Sequence, residues 1–269
     1  MNLCVFVHYS LEVKMPYYVQ CYLGELVRFF DQVIVVTNSR EYDKESYSAV
    51  DGIDLITVSN EGYDFGMFYK AIQLISIEEY ETIACVNDSN LIVSRLDPIF
   101  SWGKTQNYGL WSLIDSYEKP WFSTHSDSYH LQSFFLVFEQ PALKLLSCFF
   151  ESIDDEAIFS ITDPKELRRQ VINDWEIGLT QFMISHGVKT GSFIDSKIFS
   201  EINELSKNKN LTIKYYELLL KKGYPLLKKS LLSKTTIWNR LAITPKDKWS
   251  KIINKYGSGE WNAEKMINQ

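Results

Sequence analysis

The 269-residue chain has few cysteines, and their placement argues against several kinds of site. Cys4, Cys21, Cys85 and Cys148 lie far apart, form no C-x-x-C pair and have no histidine at the spacing of zinc ligands. Cys4 and Cys85 stand inside apolar runs typical of strands. We therefore predict reduced, buried thiols rather than disulfides or a metal centre.

Long apolar runs are also missing. No segment approaches the ~20 consecutive apolar residues that a transmembrane helix needs. The apolar run of residues 3–7 is too short for a signal peptide and is followed at once by His8. These absences predict a cytoplasmic protein. The 45% of hydrophobic residues, with 14% aromatics, can bury a large core.

Charge is distributed unevenly along the chain. Between Lys207 and Lys255, thirteen Lys and Arg residues stand against two acids, a net charge of +11, whereas the whole chain carries −6. Such a basic segment suits nucleic acid, anionic lipid or a phosphorylated substrate, or it is an ordinary solvated helical face. We predict a main domain over residues 1–200 and a basic helical extension over residues 201–269, packed on it.

Strand and helix signals alternate along the chain. Runs typical of strands occupy residues 3–9, 32–38, 53–59, 82–88, 108–115 and 133–139, with a predicted edge strand at 188–195. Helices are expected from Pro16 to about Asp31, from Gly66 to Ser76, and after Pro141 and Pro164. This alternation predicts an α/β fold with a mainly parallel, Rossmann-like sheet, which binds ligands at its strand carboxyl ends.

The stretch "SNEGYDFGMFYKAI", residues 59–72, joins the third strand to a helix. Gly62 can adopt positive φ there, and Gly66 would let a ligand approach the backbone. The free N–H groups at the helix start would favour an anion such as a diphosphate. The G-x-G-x-x-G fingerprint and the P-loop lysine are absent, so neither of those nucleotide sites is indicated. A tight turn without a ligand is the alternative.

A second polar motif, "ACVNDSN", ends the fourth strand in Asn87, Asp88 and Ser89. A carboxylate at this edge could hold a divalent cation that bridges two phosphates. An acid at a strand end can equally be a turn residue. The two motifs follow strands of one sheet, so we expect them to meet in one crevice.

Five stretches in this order resemble the rhamnan synthesis protein F family of bacterial polysaccharide glycosyltransferases. They are "NEGYDFGMFYKAI", "NDSNLIVSRLDPIF", "SYHLQSFFLVFEQPAL", "WEIGLTQFMISHG" and "GYPLLKKSLL". The resemblance covers roughly residues 1–235 and implies a GT-A-like fold. It implies transfer of a sugar from a nucleotide diphosphate sugar to a glycan or lipid-linked acceptor, in capsule, O-antigen or cell-wall synthesis at the inner face of the membrane. Nucleic acid is not an expected partner.

The resemblance also implies site residues. The nucleotide-sugar pocket would be lined by His8, Tyr9, Asn60, Gly62, Asp64, Gly66, Asn87 and Ser89. Asp88 would occupy the place of the Asp-x-Asp motif of GT-A enzymes and act in catalysis. Only one of the usual two carboxylates is present, so Mg²⁺ or Mn²⁺ at Asp88 is an open expectation.

Two further groups of polar residues are expected at the acceptor side. His125, Asp127, His130 and Gln132 precede a strongly apolar strand, where contacts to the acceptor or the donor sugar are expected. An inverting reaction needs a carboxylate base, for which Glu176 is our prediction and Asp174 its rival. The alternative for the first group is a polar loop without a ligand. The alternative for the two acids is an ordinary exposed position on a helix.

Three functional hypotheses follow from these motifs. The preferred one is an inverting glycosyltransferase for a hexose or deoxyhexose. A non-catalytic nucleotide-sugar or glycan-binding subunit of an assembly complex would also suit the incomplete Asp-x-Asp motif. A different α/β enzyme, such as a phosphate-ester hydrolase or a nucleotidyltransferase, is the third.

Overall fold

The computed structural model describes residues 1–11, 14–38, 50, 52–206, 209–232 and 245–267. Its main sheet has eight strands, in the order β3-β2-β1-β4-β8-β6-β7, with β9 paired to β6. These strands are β1 (Asn2–His8), β2 (Gln32–Thr37), β3 (Ile53–Thr57), β4 (Thr82–Asn87), β6 (Leu110–Ser116), β7 (His130–Leu131), β8 (Phe135–Glu139) and β9 (Thr190–Ile194). A two-stranded sheet pairs β5 (Asn90–Ile92) with β10 (Leu226–Lys228).

Helices cover both faces of the main sheet. The first half of the chain contains α1 (Tyr17–Leu26), α2 (Tyr63–Ile72), a 3-10 turn (Ile77–Glu79) and α3 (Asp97–Thr105). Those of the second half are α4 (Gln140–Glu151), α5 (Asp155–Phe159), α6 (Pro164–Gln170), a π-helical turn (Val171–Ile177), α7 (Gly178–Ser185) and α8 (Ser196–Ile202). The C-terminal ones are α9 (Leu211–Lys214), α10 (Tyr216–Lys221), α11 (Lys229–Leu232), α12 (Pro245–Tyr256) and α13 (Ala263–Ile267).

The sheet is mostly parallel at its centre. β3, β2, β1 and β4 run parallel to one another, whereas β8 pairs antiparallel with both β4 and β6. β9 is the predicted edge strand and runs parallel to β6. The carboxyl ends of β1 and β4 therefore lie side by side, as the ligand-binding edge of such a sheet requires. The GT-A-like α/β architecture expected from the sequence is confirmed.

The core lies on both faces of the central strands. Alternate residues of β1 point to opposite faces: Phe6 packs with Tyr22 on one side, and Val5 joins the cluster that contains Phe68 on the other. Burial on both faces explains why these strands read as continuous apolar runs. Trp249 from the C-terminal segment is buried in the same cluster as Phe6.

Several sequence predictions need correction. The stretch 53–59 was expected as a buried strand, but β3 is the outer strand of the sheet and is largely exposed. α2 begins at Tyr63 instead of Gly66, directly after a left-handed Gly62. The basic segment contains the strand β10 besides helices, and its residues 207–208 and 233–244 lie outside the described residues. Cys4, Cys21 and Cys85 are buried free thiols, whereas Cys148 is exposed.

Among the residues that the structure describes, no helix combines the length and the apolar character needed to cross a membrane.

Candidate active site

Asp88 is the centre of a buried polar cluster at the carboxyl ends of β1 and β4. Its backbone N–H donates to the Val7 carbonyl at 3.2 Å, which places it beside His8, the last residue of β1. The His8 imidazole Nδ1 lies 2.8 Å from Asp88 Oδ2, and the Tyr18 hydroxyl on α1 donates to the same oxygen at 2.8 Å. Side chains from the ends of the first and fourth strands therefore meet at one carboxylate.

Lys229 completes this cluster from the far end of the sequence. Its ammonium Nζ donates to Asp88 Oδ2 at 2.9 Å and to the Tyr18 hydroxyl, and it lies 4.4 Å from the Tyr18 ring centre. Burial alone would raise the pKa of Asp88. The hydrogen bond and charge of His8, together with those of Lys229, outweigh burial and hold that pKa below its usual value. Asp88 is thus a stable anion.

Asp64 is a second acid at the same edge. Asn87 donates through Nδ2 to Asp64 Oδ2 at 2.7 Å, while Asn87 Oδ1 accepts from the Ser89 hydroxyl at 2.6 Å. Burial, and then the negative charge of Asp88, raise the pKa of Asp64 to about 6; Glu176 adds to this effect and two lysines oppose it. Asp64 and Asp88 therefore behave differently although they share one crevice, which is typical of functional sites.

The turn before α2 explains the two glycines of the sequence motif. Gly62 has φ 76° and Tyr63 has φ 56°, so the chain reverses sharply and points Asp64 at Asn87. A Cβ on Gly66 would lie 1.7 Å from the Glu61 carbonyl oxygen. Glycine at position 66 is therefore required by the approach of the protein's own backbone, where the sequence suggested the approach of a ligand.

The remaining predicted pocket residues lie around this turn and strand. Asn60 is exposed in the segment before Gly62, and Tyr9 is exposed just beyond β1. Lys70 fixes the segment by donating to the Ser59 hydroxyl at 2.6 Å and to the Glu61 carboxylate. The segment is thus held in place by charged contacts at the rim of the site.

Glu176 lies on the π-helical turn and faces the acidic cluster. Its Oε1 accepts from the Ser133 hydroxyl at 2.8 Å and from the Ser133 backbone N–H at 3.3 Å. Its charge helps to raise the pKa of Asp64, which places its carboxylate in the same electrostatic environment. Wide π-helical turns are frequent at functional sites because they redirect side chains.

Asp174, the rival of Glu176, is engaged elsewhere. It accepts from Gln170 Nε2 at 2.5 Å and from Asn173 Nδ2 at 2.6 Å. Both partners lie on the same helical run as Asp174. The structure therefore brings Glu176, and not Asp174, into the electrostatic environment of Asp64 and Lys228.

The predicted acceptor residues are held mainly by backbone contacts. His125 Nε2 lies 3.0 Å from the carbonyl of Asn173 on the π-helical turn. Asp127 accepts from the Tyr129 N–H at 2.8 Å within its own turn, and His130 Nδ1 lies 2.7 Å from the Ser128 carbonyl. His130 and Gln132 are buried. Of this group, His125 lies at hydrogen-bond distance from the turn that carries Glu176, within the part of the chain that the structure describes.

Four residues at the site escaped the sequence analysis: Tyr18, Ser133, Lys228 and Lys229. Lys228 has a lowered pKa because of burial, opposed by the charges of Glu176 and Asp64. The two lysines stand in the stretch "GYPLLKKSLL", but the many other lysines around them gave no reason to single them out. The signal for Tyr18 is absent, because an aromatic residue on an apolar helix is ordinarily a core residue.

Fold and site together define a GT-A-like α/β protein with a cluster of acids and lysines at the carboxyl ends of its central strands. Residues 33–248 match the model of the rhamnan synthesis protein F family, and the chain belongs to that family. This agrees with the resemblance seen in the sequence and gives the chain a glycosyltransferase-like role.

Individual relatives are more distant. The virulence protein VirA of Vibrio anguillarum is 26% identical over an alignment of 236 residues. The match covers 76% of this chain and 68% of that protein. A putative nucleotide-diphospho-sugar transferase from Desulfovibrio desulfuricans matches 95% of this chain and 97% of its own, with 12% identity and a TM-score of 0.43. The glycosyltransferase GlyE of Streptococcus pneumoniae matches 99% of this chain and 62% of its own, with 12% identity and a TM-score of 0.45.

Proposed function

We propose that the protein is an inverting glycosyltransferase. It takes a hexose or deoxyhexose from a nucleotide diphosphate sugar and attaches it to a lipid-linked glycan of a bacterial surface polysaccharide, such as a capsule, an O-antigen or a cell-wall rhamnan. The observation that carries this proposal is the meeting of Asp88, Asp64 and Glu176 with two lysines at one edge of the sheet, in a chain of this family.

Each part of the reaction has a group at this edge. An acceptor hydroxyl attacks the anomeric carbon of the donor and gives its proton to the Glu176 carboxylate. The bond from that carbon to the β-phosphate oxygen breaks, and its electron pair stays on the leaving diphosphate. Preorganised cationic groups lower the energy of such a developing charge. Asp88 holds Lys229 and His8 in place and contributes to binding the donor sugar.

The acceptor is proposed to place its reacting hydroxyl beside Glu176 and to extend its glycan past the π-helical turn towards Asp174. A cavity of about 700 Å³ opens there, lined in part by Trp121, Thr124 and Asn173. The Trp121 side chain is 81% exposed, and the Arg169 guanidinium lies 4.7 Å from its ring centre. An exposed indole offers an apolar face to a sugar ring and a polar N–H at its edge. His125, which contacts the same turn, would orient the acceptor.

The basic C-terminal segment would hold the enzyme at an anionic membrane surface, where a lipid-linked acceptor is found. Lys221 and Lys222 at the end of α10 are exposed and suit this contact. Lysines near a membrane of this kind contribute ~1 kcal/mol each. This contact would be peripheral and would leave the site free for the donor.

The exchange of Glu176 for glutamine tests the proposed mechanism. Glu176→Gln keeps the contact to Ser133 but removes the base, so kcat should fall by about 100-fold with little change in donor affinity. Asp174→Asn is the matched control and should retain most of the activity. The assay measures transfer and hydrolysis with a panel of UDP-, dTDP- and GDP-sugars.

Other outcomes point elsewhere. Full turnover in Glu176→Gln together with loss in Asp174→Asn would move the base to Asp174. Normal turnover in both variants would contradict the inverting mechanism. Donor binding without any turnover by the wild-type protein would favour a non-catalytic nucleotide-sugar-binding subunit.

A further inference from the structure

The C-terminal segment delivers two consecutive lysines into the site. β10 pairs antiparallel with β5, so that Lys228 lies opposite Asn90. The backbone N–H of Lys229 donates to the Ser89 carbonyl at 2.9 Å. Because β5 follows directly after Asp88 and Ser89, this pairing fixes both lysines beside the end of β4. Backbone hydrogen bonds therefore fix where the main chain of these two residues lies, without any contribution from side-chain contacts.

The two ammonium groups lie at different acids. Lys229 Nζ is 2.9 Å from Asp88 Oδ2, whereas Lys228 Nζ lies 4.6 Å from the Phe134 ring centre and interacts with the charges of Glu176 and Asp64. Lysine has three N–H donors, and within the described residues Lys229 uses two of them, on Asp88 and Tyr18. One donor remains for a phosphate oxygen.

A divalent cation fits these residues poorly. The GT-A fold implies Mg²⁺ or Mn²⁺ at the position of Asp88, and such ions need several oxygen ligands at about 2.1 Å. Asp88 Oδ2 instead receives a hydrogen bond from Tyr18 and contacts from His8 and from the positive charge of Lys229. A cation on this oxygen would have to displace Lys229 and remain close to its charge. Asp64 Oδ2 accepts a hydrogen bond from the Asn87 amide, so this oxygen is already used by another partner.

We propose that Lys228 and Lys229 together neutralise the diphosphate of the donor, and that donor binding needs no divalent cation. This inference rests on the proposed function and identifies the groups that stabilise its leaving group. No proton is exchanged with the lysines in this step, because the proton of the acceptor goes to Glu176. A fixed pair of cationic donors at a partly buried site can bind two phosphates by charge-assisted hydrogen bonds.

Calorimetric titration with UDP, dTDP and GDP tests the inference without an activity measurement. The full chain is titrated in EDTA and again with saturating Mg²⁺ or Mn²⁺. We expect the nucleotide that binds to have the same Kd in both buffers, within about twofold. Lys229→Met should weaken binding by at least about tenfold, and Lys228→Met by a similar factor. Lys144→Met, on the exposed face of α4, is the matched control and should bind as the wild type does.

The charge-conserving variant separates electrostatics from misfolding. Lys229→Arg should retain more of the affinity than Lys229→Met, and thermal unfolding checks that both variants fold. Binding that appears only with the metal ion, or a Kd that Lys229→Met leaves unchanged, would overturn the inference alone. Failure of all three nucleotides to bind in either buffer would overturn the proposed function together with it.

Discussion

Two buried acids, Glu25 and Asp88, show how differently this molecule uses a carboxylate inside its core. The Glu25 side chain is 0% exposed, and both of its oxygens are used. Oε1 accepts from Arg28 at 2.7 Å and from the Leu96 N–H at 2.9 Å, while Oε2 accepts from Arg95. The partners of Asp88 all reach a single oxygen, Oδ2.

The surroundings of the two acids differ as well. Glu25 lies near the end of α1, and its partners extend to Asp97 and Glu260, so the cluster ties α1 to the start of α3 and to the C-terminal segment. Asp88 shares its crevice with Asp64, whose pKa is raised by the charges of Asp88 and Glu176. An acid whose oxygens are shared among structural partners stabilises the fold. A pair of acids with opposite pKa shifts, such as Asp88 with a lowered and Asp64 with a raised pKa, is typical of a functional site.

The largest expected effect is on transfer by a variant of Asp88. Asp88→Asn keeps an oxygen for Tyr18 but removes the charge that positions Lys229 and His8. We expect kcat/KM to fall by about 1000-fold or more, a larger effect than the loss of stability that follows from removing the partner of Lys229. Steady-state transfer and urea unfolding measure the two quantities. Wild-type kcat/KM with the correct donor would remove Asp88 from the proposed site.

Glu25 should show the reverse pattern. Glu25→Gln leaves Arg28 and Arg95 without the carboxylate between them, and breaking a buried ion pair costs about 3 kcal/mol. Both arginines are partly exposed and can regain water, so we expect a loss of about 2 to 3 kcal/mol in the free energy of unfolding. The kcat/KM of the folded fraction should stay the same. A catalytic loss without a stability loss would break the contrast between the two acids.

Most strands of the sheet could be predicted from the sequence, because parallel strands buried on both faces are continuous apolar runs. The sequence also predicted that Asp64 and Asp88 would share one crevice, since both follow strands of one sheet, and it named Glu176 separately as the base. It did not reveal Lys228 and Lys229, because their position depends on the pairing of β10 with β5 across more than a hundred residues. The π-helical turn was also beyond prediction, because its residues have the apolar pattern of an ordinary α-helix.

Asp64 sharpens the contrast through the pH dependence of stability. Its pKa in the folded protein is about 6, against an ordinary value of 3.8, so the fold favours its protonated form. The stability that this group contributes is complete below about pH 4 and is lost as the pH rises through 6. Asp64→Asn keeps an acceptor for Asn87 and cannot ionise.

We therefore expect Asp64→Asn to raise the free energy of unfolding by about 2 kcal/mol at pH 7.5 and to leave it nearly unchanged near pH 4. Urea unfolding at several pH values measures this difference. Asp54→Asn, at an exposed position on β3, is the matched control. If the free energy of unfolding of Asp64→Asn is lower than that of the wild type at pH 7.5, the Asp64 carboxylate stabilises the fold, as the Glu25 carboxylate does.

The smallest effect concerns two exposed lysines for which the described residues provide no ion pair. Lys221 and Lys222 are exposed on α10, only a few residues before the two lysines of the site. If the basic segment contacts an anionic membrane, Lys221→Ala and Lys222→Ala should each weaken binding to anionic vesicles by ~1 kcal/mol at low salt. Donor affinity should not change, because neither side chain belongs to the Asp88 cluster. Co-sedimentation with vesicles of increasing phosphatidylserine content measures the effect, and Lys144→Ala is the control outside the basic segment. Binding that is independent of anionic lipid and of salt would show that these lysines only solvate a helical face, and the membrane contact would have to be abandoned.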